Sequence, residues 1–152
     1  NSIEFIGEIP VIDQSQKYIA GFTNNEKALL QPQDGHVIFG DHTRVVKYIN
    51  FDYARGADGT QVLISNNENI SNVLLYHMIE DFDLSNYGYA RHFKFLKEKT
   101  VIVPDKEASS KFETQANVIY EKIKNNIFEN QELTQLRDWL LPMLMNGQVK
   151  KE

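Results

Sequence analysis

Apolar and polar residues alternate in short runs over the first hundred residues, a pattern typical of β-strands separated by turns. The runs are rich in Val, Ile, Tyr and Phe, and they cover 9–12, 36–39, 45–51 and 60–64. Gly40-Asp41 and Ala57-Asp58-Gly59 lie between runs and have the composition of tight turns. This part of the chain therefore predicts a small, strand-rich domain.

One helix interrupts these strands, at about residues 69–79. Its apolar side chains recur at helical spacing, and Asn69 is placed to cap its first turn. The residues expected on its buried face are Ile70, Val73, Leu74 and Met78. A last strand is predicted at 100–103, ending at Pro104.

The pattern changes after Pro104, where a long helix is predicted from about Glu107 to Leu141. No Gly or Pro interrupts this stretch, and about 34 helical residues would extend about 50 Å. Apolar residues follow a heptad spacing at its two ends, with asparagines in the middle. The expected subunit-interface residues are Phe112, Ala116, Ile119, Ile123, Asn126, Ile127, Asn130, Leu133, Leu136, Leu140 and Leu141. The alternative is a helix that folds back on its own domain.

These patterns predict an α+β fold, in which a compact β-rich domain precedes a long C-terminal helix that forms a coiled-coil-type stalk. The predicted boundaries are 1–105 for the β-rich domain and 106–152 for the helical region. The chain has no cysteine, which fits a reducing cytosol, and no run of about 18 apolar residues that would span a membrane.

Positive charge is concentrated in one segment, although the net charge of the chain is −5. Residues 87–100 carry four cations and a single carboxylate. A basic row beside tyrosines suits a DNA surface, and the alternative is an edge strand whose lysines block aggregation. As a strand, this segment would direct Phe93 and Phe95 to the core, and His92 and Lys94 outward.

Two loops around the strand at 45–51 also carry cations, and the glycines in the second permit close approach to phosphate. The candidate DNA-binding residues are Thr43, Arg44, Lys47, Arg55, Gly59, Thr60, Tyr87, Tyr89, Arg91, His92, Lys94 and Lys97.

Catalytic and cofactor motifs are absent from the sequence. There is no Gly-x-Gly loop, Walker loop, Gly-x-Ser-x-Gly elbow or His-Glu-x-x-His pair. His36, Asp41 and His42 leave open a metal site or a His-dependent nuclease, although capping or phosphate contact is the preferred interpretation. We therefore expect a chain that is not an enzyme and binds no cofactor or metal of its own.

An ordered set of short segments resembles the type I restriction-modification specificity subunits. The segments are 9–15, 19–23, 39–44, 56–60, 88–97 and 136–149. The resemblance implies a cytoplasmic, non-catalytic domain that recognises one half of a split target in double-stranded DNA. It also implies that the helical region docks methyltransferase subunits and a motor-nuclease subunit, to which S-adenosylmethionine, ATP and Mg belong.

The chain has one recognition domain and one helical region where the family has two of each. It therefore matches a C-terminal half or a naturally short half-subunit, and the latter would homodimerise through its helix. A protein-interaction module with an orphaned recognition fold is the remaining alternative.

Overall fold

Seven strands and three α-helices follow one another in the computed structural model, which describes residues 7–85, 88 and 91–147. The strands are β1 (Ile9–Ile12), β2 (Gly21–Thr23), β3 (Leu29–Leu30), β4 (His36–Gly40), β5 (Val46–Ile49), β6 (Tyr53–Arg55) and β7 (Thr60–Leu63). The helices are α1 (Asn72–Glu80), α2 (Phe93–Leu96) and α3 (Lys106–Met145), and a 3-10 turn covers Glu26–Ala28. The α+β prediction is confirmed, whereas a coiled coil is not shown.

The strands form two sheets. One has the order β2-β1-β6-β3, in which β1 and β6 are parallel and the other pairs antiparallel. The other has the order β5-β4-β7 and is antiparallel throughout. In its register Gly40 is opposite Thr60, so the end of β4 lies beside the start of β7.

The core of this β-rich part comes mainly from β1, β4, β5 and β6, with one residue each from β7 and α1. Its largest fully buried side chains are Ile12, Val37, Ile38, Phe39, Ile49, Tyr53, Thr60 and Val73. Helix α1 packs on β4 and β5, where the rings of Tyr48 and Tyr76 lie 6.1 Å apart. Asn72 ties the start of this helix to β4, because its amide donates to the Gly35 carbonyl at 2.8 Å.

Helix α1 begins later than its apolar pattern predicts. Its N-cap is Ser71, whose hydroxyl accepts from the Leu74 amide at 3.4 Å, and not Asn69. Asn69 belongs to the preceding turn, where its amide donates to the Asn67 side chain at 2.9 Å. The expected cap was wrong because both residue types favour this position and the turn selects between them.

Two expected strands are not strands. Residues 100–103 have no regular structure, and Ile102 is 89% exposed. Neither of the two sheets includes this stretch, and β-branched residues form a strand only where a ladder partner is present. The segment at 91–97 contains α2, because Phe93 and Leu96 also share one face at a spacing of three.

Helix α3 begins after Asp105, whose carboxylate accepts from the Ala108 amide at 2.8 Å and so caps the first turn. It runs for 40 residues and includes Pro142, so it is longer than predicted.

The chain divides into two units, Asn1–Asn117 and Val118–Glu152, here called the first and second unit. Among the helices of the described residues, none combines the length and the hydrophobicity that a membrane span requires.

Candidate nucleic-acid interface

Three loops of the first unit meet where β1, β4 and β6 end. The Gly56 amide donates to the Ile12 carbonyl at 2.7 Å, which places residues 56–59 beside residues 13–15. The Asp41 amide donates to the Gly59 carbonyl at 2.8 Å, which brings residues 41–44 to the same place. We call residues 13–15, 41–44 and 56–59 the loop cluster.

Gln14 lies at the centre of the loop cluster. Its side-chain oxygen accepts from the His42 amide at 3.2 Å, and its carbonyl accepts from the Thr43 hydroxyl at 2.6 Å. A Cβ added at Gly59 would lie 2.5 Å from the Gln14 side-chain nitrogen. Gly59 is therefore explained by packing against Gln14, a role that the expectation of phosphate contact did not include.

Arg44 occupies the tip of the loop at 41–44 with an unusual backbone. Its φ is +63°, the only positive value for a residue other than glycine in the described part of the chain. Two hydrogen bonds close the turn. The Gly40 amide donates to the Val45 carbonyl and the Arg44 amide donates to the Gly40 carbonyl, both at 2.8 Å. The Arg44 side chain is exposed, as its predicted contact with DNA requires.

Asp83 lies within electrostatic range of this arginine. Hydrogen bonds from Ser85 lower the pKa of the Asp83 carboxyl, and the positive charges of Lys99 and Arg44 lower it further. The loop at 41–44 is thus close to Asp83, which precedes the basic residues in the sequence.

The basic segment, defined here as residues 91–97, is attached to the loop cluster through Asp41. The His92 amide donates to the Asp41 carbonyl at 2.8 Å, and the Phe93 amide donates to the Asp41 carboxylate at 2.9 Å. Arg91, Lys94 and Lys97 are exposed on this segment. Two predicted groups of cations, at Arg44 and at 91–97, are therefore joined.

Aromatic rings support the lysines of the basic segment. The Lys97 ammonium lies 4.5 Å from the centre of the Phe93 ring, and the Lys94 ammonium 5.9 Å from that of Phe95. Phe93 in turn packs against Phe39 of β4, with ring centres 6.2 Å apart. The segment has an apolar side on the core and an outer side that carries positive charge.

Three of the residues predicted to contact DNA are buried, so the prediction is wrong for them. Lys47, Thr60 and His92 are 4%, 0% and 3% exposed. The Lys47 ammonium donates to the carbonyls of Asp13 and Lys17 at 2.8 and 2.6 Å. Burial lowers the pKa of this ammonium, and the negative charge of Asp13 partly offsets that effect. The expectation that His92 faces outward is wrong, because its segment is helical and its ring packs inward.

The remaining candidates are distributed as follows. Thr43 is exposed but engaged with Gln14, and Arg55 is exposed beside the loop cluster at the end of β6. Arg55 lines an open groove of about 460 Å³ together with His36 and the apolar residues Ala28, Leu30, Val62 and Ile64. Tyr87 and Tyr89 lie outside the described residues.

Sequence patterns predicted no role for Gln14, and for Asp41 they favoured capping or phosphate contact over metal binding or catalysis. Both act on residues at least 28 positions away, and a local pattern carries no signal for such contacts.

In the described residues no group of three or more His, Cys, Asp or Glu side chains could hold a metal ion.

The expected interface residues of α3 fall into two groups. In the first unit Ala116 is buried within the chain, and the Phe112 ring contacts that of His77 at 5.5 Å. The prediction that Ala116 contacts another subunit is therefore wrong, because its side chain is buried within its own chain. In the second unit most apolar members are exposed: Ile119, Ile123, Leu133, Leu136 and Leu141. Asn126 and Asn130 are also exposed, and Ile127 and Leu140 are partly so.

The chain is similar to a known protein over part of its length. Over 49 residues the chain is 43% identical to the Type I restriction enzyme HindI specificity subunit of Haemophilus influenzae. The match covers 32% of this chain and 11% of that protein. No protein-family model matches the chain. No solved structure matches it significantly.

Proposed function

We propose that this chain is a non-catalytic DNA-recognition module of the type I restriction-modification specificity kind. The observation that carries the proposal is the 43% identity, over 49 residues, to a specificity subunit. The geometry adds support, because exposed cations of the loop cluster and of the basic segment are joined by Asp41. Such cations suit the phosphate backbone, and an arginine can also bind a guanine edge.

The second part of the proposal concerns α3. Its exposed apolar side chains in the second unit would contact methyltransferase subunits, a motor-nuclease subunit or a second copy of this chain. Contiguous exposed apolar side chains are typical of protein-binding surfaces. S-adenosylmethionine, ATP and Mg would then be bound by the partner subunits.

A protein-interaction module without DNA binding is the second candidate, and the same exposed side of α3 favours it. The nuclease hypothesis uses His42 with nearby carboxylates, of which Asp41 is the nearest in the sequence. That carboxylate is buried and accepts from the Phe93 amide, so it serves as a structural acceptor.

DNA binding by the chain with its methyltransferase partners tests the proposal. Affinity for duplex DNA is expected to fall steeply with salt, by roughly 0.9 log units per log unit of salt for each phosphate neutralised. Arg44→Ala and Arg91→Ala are expected to weaken binding, whereas Lys111→Ala removes an exposed charge on α3 that pairs with Glu107, and it is the control. Salt-independent affinity, or tight partner binding without DNA retention, would contradict DNA recognition and favour the second candidate.

A further inference from the structure

Asp41 and His92 join two segments that are 51 residues apart in the sequence. Three bonds connect them: His92 amide to Asp41 carbonyl at 2.8 Å, His92 Nδ1 to the same carbonyl at 3.1 Å, and Phe93 amide to the Asp41 carboxylate at 2.9 Å. The His92 Nε2 also contacts the Gly88 carbonyl at 3.1 Å. Both side chains are buried, and so is the bond from His92 Nδ1 to the Asp41 carbonyl, while the Phe93 bond is partly buried.

Helix α2 depends on this connection. It has four residues, and its own N-cap residue, His92, provides no side-chain cap. A helix this short is not stable alone, and its first amides need an acceptor from elsewhere. Asp41 supplies that acceptor from the end of β4, which places the helix, with Lys94 in it and Lys97 directly after it, beside the loop at 41–44.

We propose that Asp41 and His92 are positioning residues, which hold the basic segment beside Arg44 so that both groups of cations contact one DNA backbone. This inference rests on the proposed function. Neither residue touches DNA in this scheme. Their contribution is to order the segment before binding, so that the entropy of ordering is not lost on binding.

The electrostatics make the proposal distinguishable from a simple charge effect. Asp41 is an anion beside a surface that would bind an anion, so Coulomb's law alone predicts tighter DNA binding when it is removed. A positioning role predicts the opposite. Asp58, in the neighbouring loop, is exposed and carries the same charge, so it is the matched control.

The experiment compares Asp41→Ala, Asp41→Asn and Asp58→Ala in the full chain with its methyltransferase partners, on a short random-sequence duplex. Asp41→Ala is expected to bind about tenfold more weakly at low salt, with a salt slope smaller by about one to two. Asp41→Asn keeps an oxygen that can accept from Phe93 and is expected to bind at least as tightly as the wild type. Asp58→Ala is expected to bind equally or more tightly.

Amide hydrogen exchange at Phe93, Leu96 and Lys97 provides a readout that does not depend on DNA. Exchange is expected to be at least tenfold faster in Asp41→Ala, about what the loss of one partly buried bond to a carboxylate allows, and unchanged in Asp58→Ala. If Asp41→Ala does not fold, His92→Leu fills the same space without ring donors and is expected to weaken binding similarly.

Two results would overturn the positioning role: Asp41→Ala binding as tightly as Asp58→Ala, or unchanged exchange at Phe93. If the wild type does not bind DNA while exchange responds as expected, the connection stands and the proposed function fails. Asn72→Ala removes a buried hydrogen bond elsewhere in the first unit, so it separates positioning from general destabilisation: its salt slope is expected to equal that of the wild type.

Discussion

Arg44 combines an exposed cation with a strained backbone. The left-handed region costs a residue with a side chain about 1–2 kcal/mol relative to glycine. Its φ of +63° closes the turn between β4 and β5, a position that local stability alone would give to glycine. Strain retained at an exposed arginine is typical of a functional site.

Replacing this arginine should separate stability from binding. Arg44→Gly relieves the strain, so we expect no loss in the free energy of unfolding and a gain of up to about 1 kcal/mol, partly offset by the entropy of glycine. DNA affinity is expected to fall by as much as is expected for Arg44→Ala. Denaturant unfolding and a binding titration measure the two effects, and a clear loss of stability would argue that the side chain has a structural role instead.

Tyr53 provides a pH-dependent test of the core. Burial raises the pKa of its phenol to about 12, an effect that the charge of Arg55 partly offsets, and its hydroxyl lies 3.0 Å from the His36 ring. Between the ordinary value of about 10 and this value, the folded chain retains a proton that the unfolded chain has lost. The stability contribution is complete below about pH 10 and is lost as pH rises to about 12.

Comparison with Tyr53→Phe isolates this contribution, since the variant has no proton to lose at that position. The stability advantage of the wild type is expected to shrink across the same pH window in denaturant unfolding. Parallel curves for the two proteins would mean that the Tyr53 phenol titrates normally.

Residue types marked the cations in the sequence, but burial decided which of them are accessible. Arg44, Arg91, Lys94 and Lys97 are exposed as predicted. Lys47 is not, because the carbonyls that bind it belong to Asp13 and Lys17, more than 29 positions away. Contacts over that distance depend on the pairing of β1 with β6 and of β4 with β5, which composition does not determine.

At the scale of elements, apolar runs located β1, β4, β5 and β7, and the Gly-free stretch after Pro104 located α3. Errors occurred where one pattern fits two structures. The spacing of Phe93, Phe95 and Leu96 suits a strand or one helical turn, and the bond from Phe93 to Asp41 selects the helix. Residues 100–103 have strand composition and lack a partner strand in either sheet.

The start of α3 permits a direct test of this helix boundary. Asp105 caps the helix through the Ala108 amide, and its carboxylate also suits the positive end of the helix dipole. Asp105→Ala is expected to lower the free energy of unfolding by about 1 kcal/mol, and Asp105→Ser to restore most of it. Denaturant unfolding measures both variants; no change in Asp105→Ala would place the helix start elsewhere.

At the scale of the whole molecule, the second unit exposes large apolar side chains that a stable isolated helix does not need. Leu133, Leu136, Trp139 and Leu141 are each about half exposed or more. Helices of such composition gain most of their stability by packing against another surface. The predicted subunit interface therefore stays a prediction, and self-association or partner binding would test it.

A double substitution in α3 addresses that interface. Leu133→Glu with Leu136→Glu is expected to reduce self-association or methyltransferase binding by at least tenfold, because two buried leucines contribute several kcal/mol to an interface. Gln135→Glu adds charge at an exposed neighbouring position and is the control. Sedimentation and pull-down with methyltransferase subunits measure the effect; equal association of both variants would exclude this side of the helix.

DNA recognition for a restriction-modification system has a consequence that can be measured across a genome. Sequencing of methylated bases in the organism, with and without the gene that encodes this chain, tests it most directly. We expect one split methylated motif to disappear when the gene is deleted and to return when it is restored. An unchanged set of methylated motifs, with the methyltransferase subunits present and active, would contradict a role in DNA recognition.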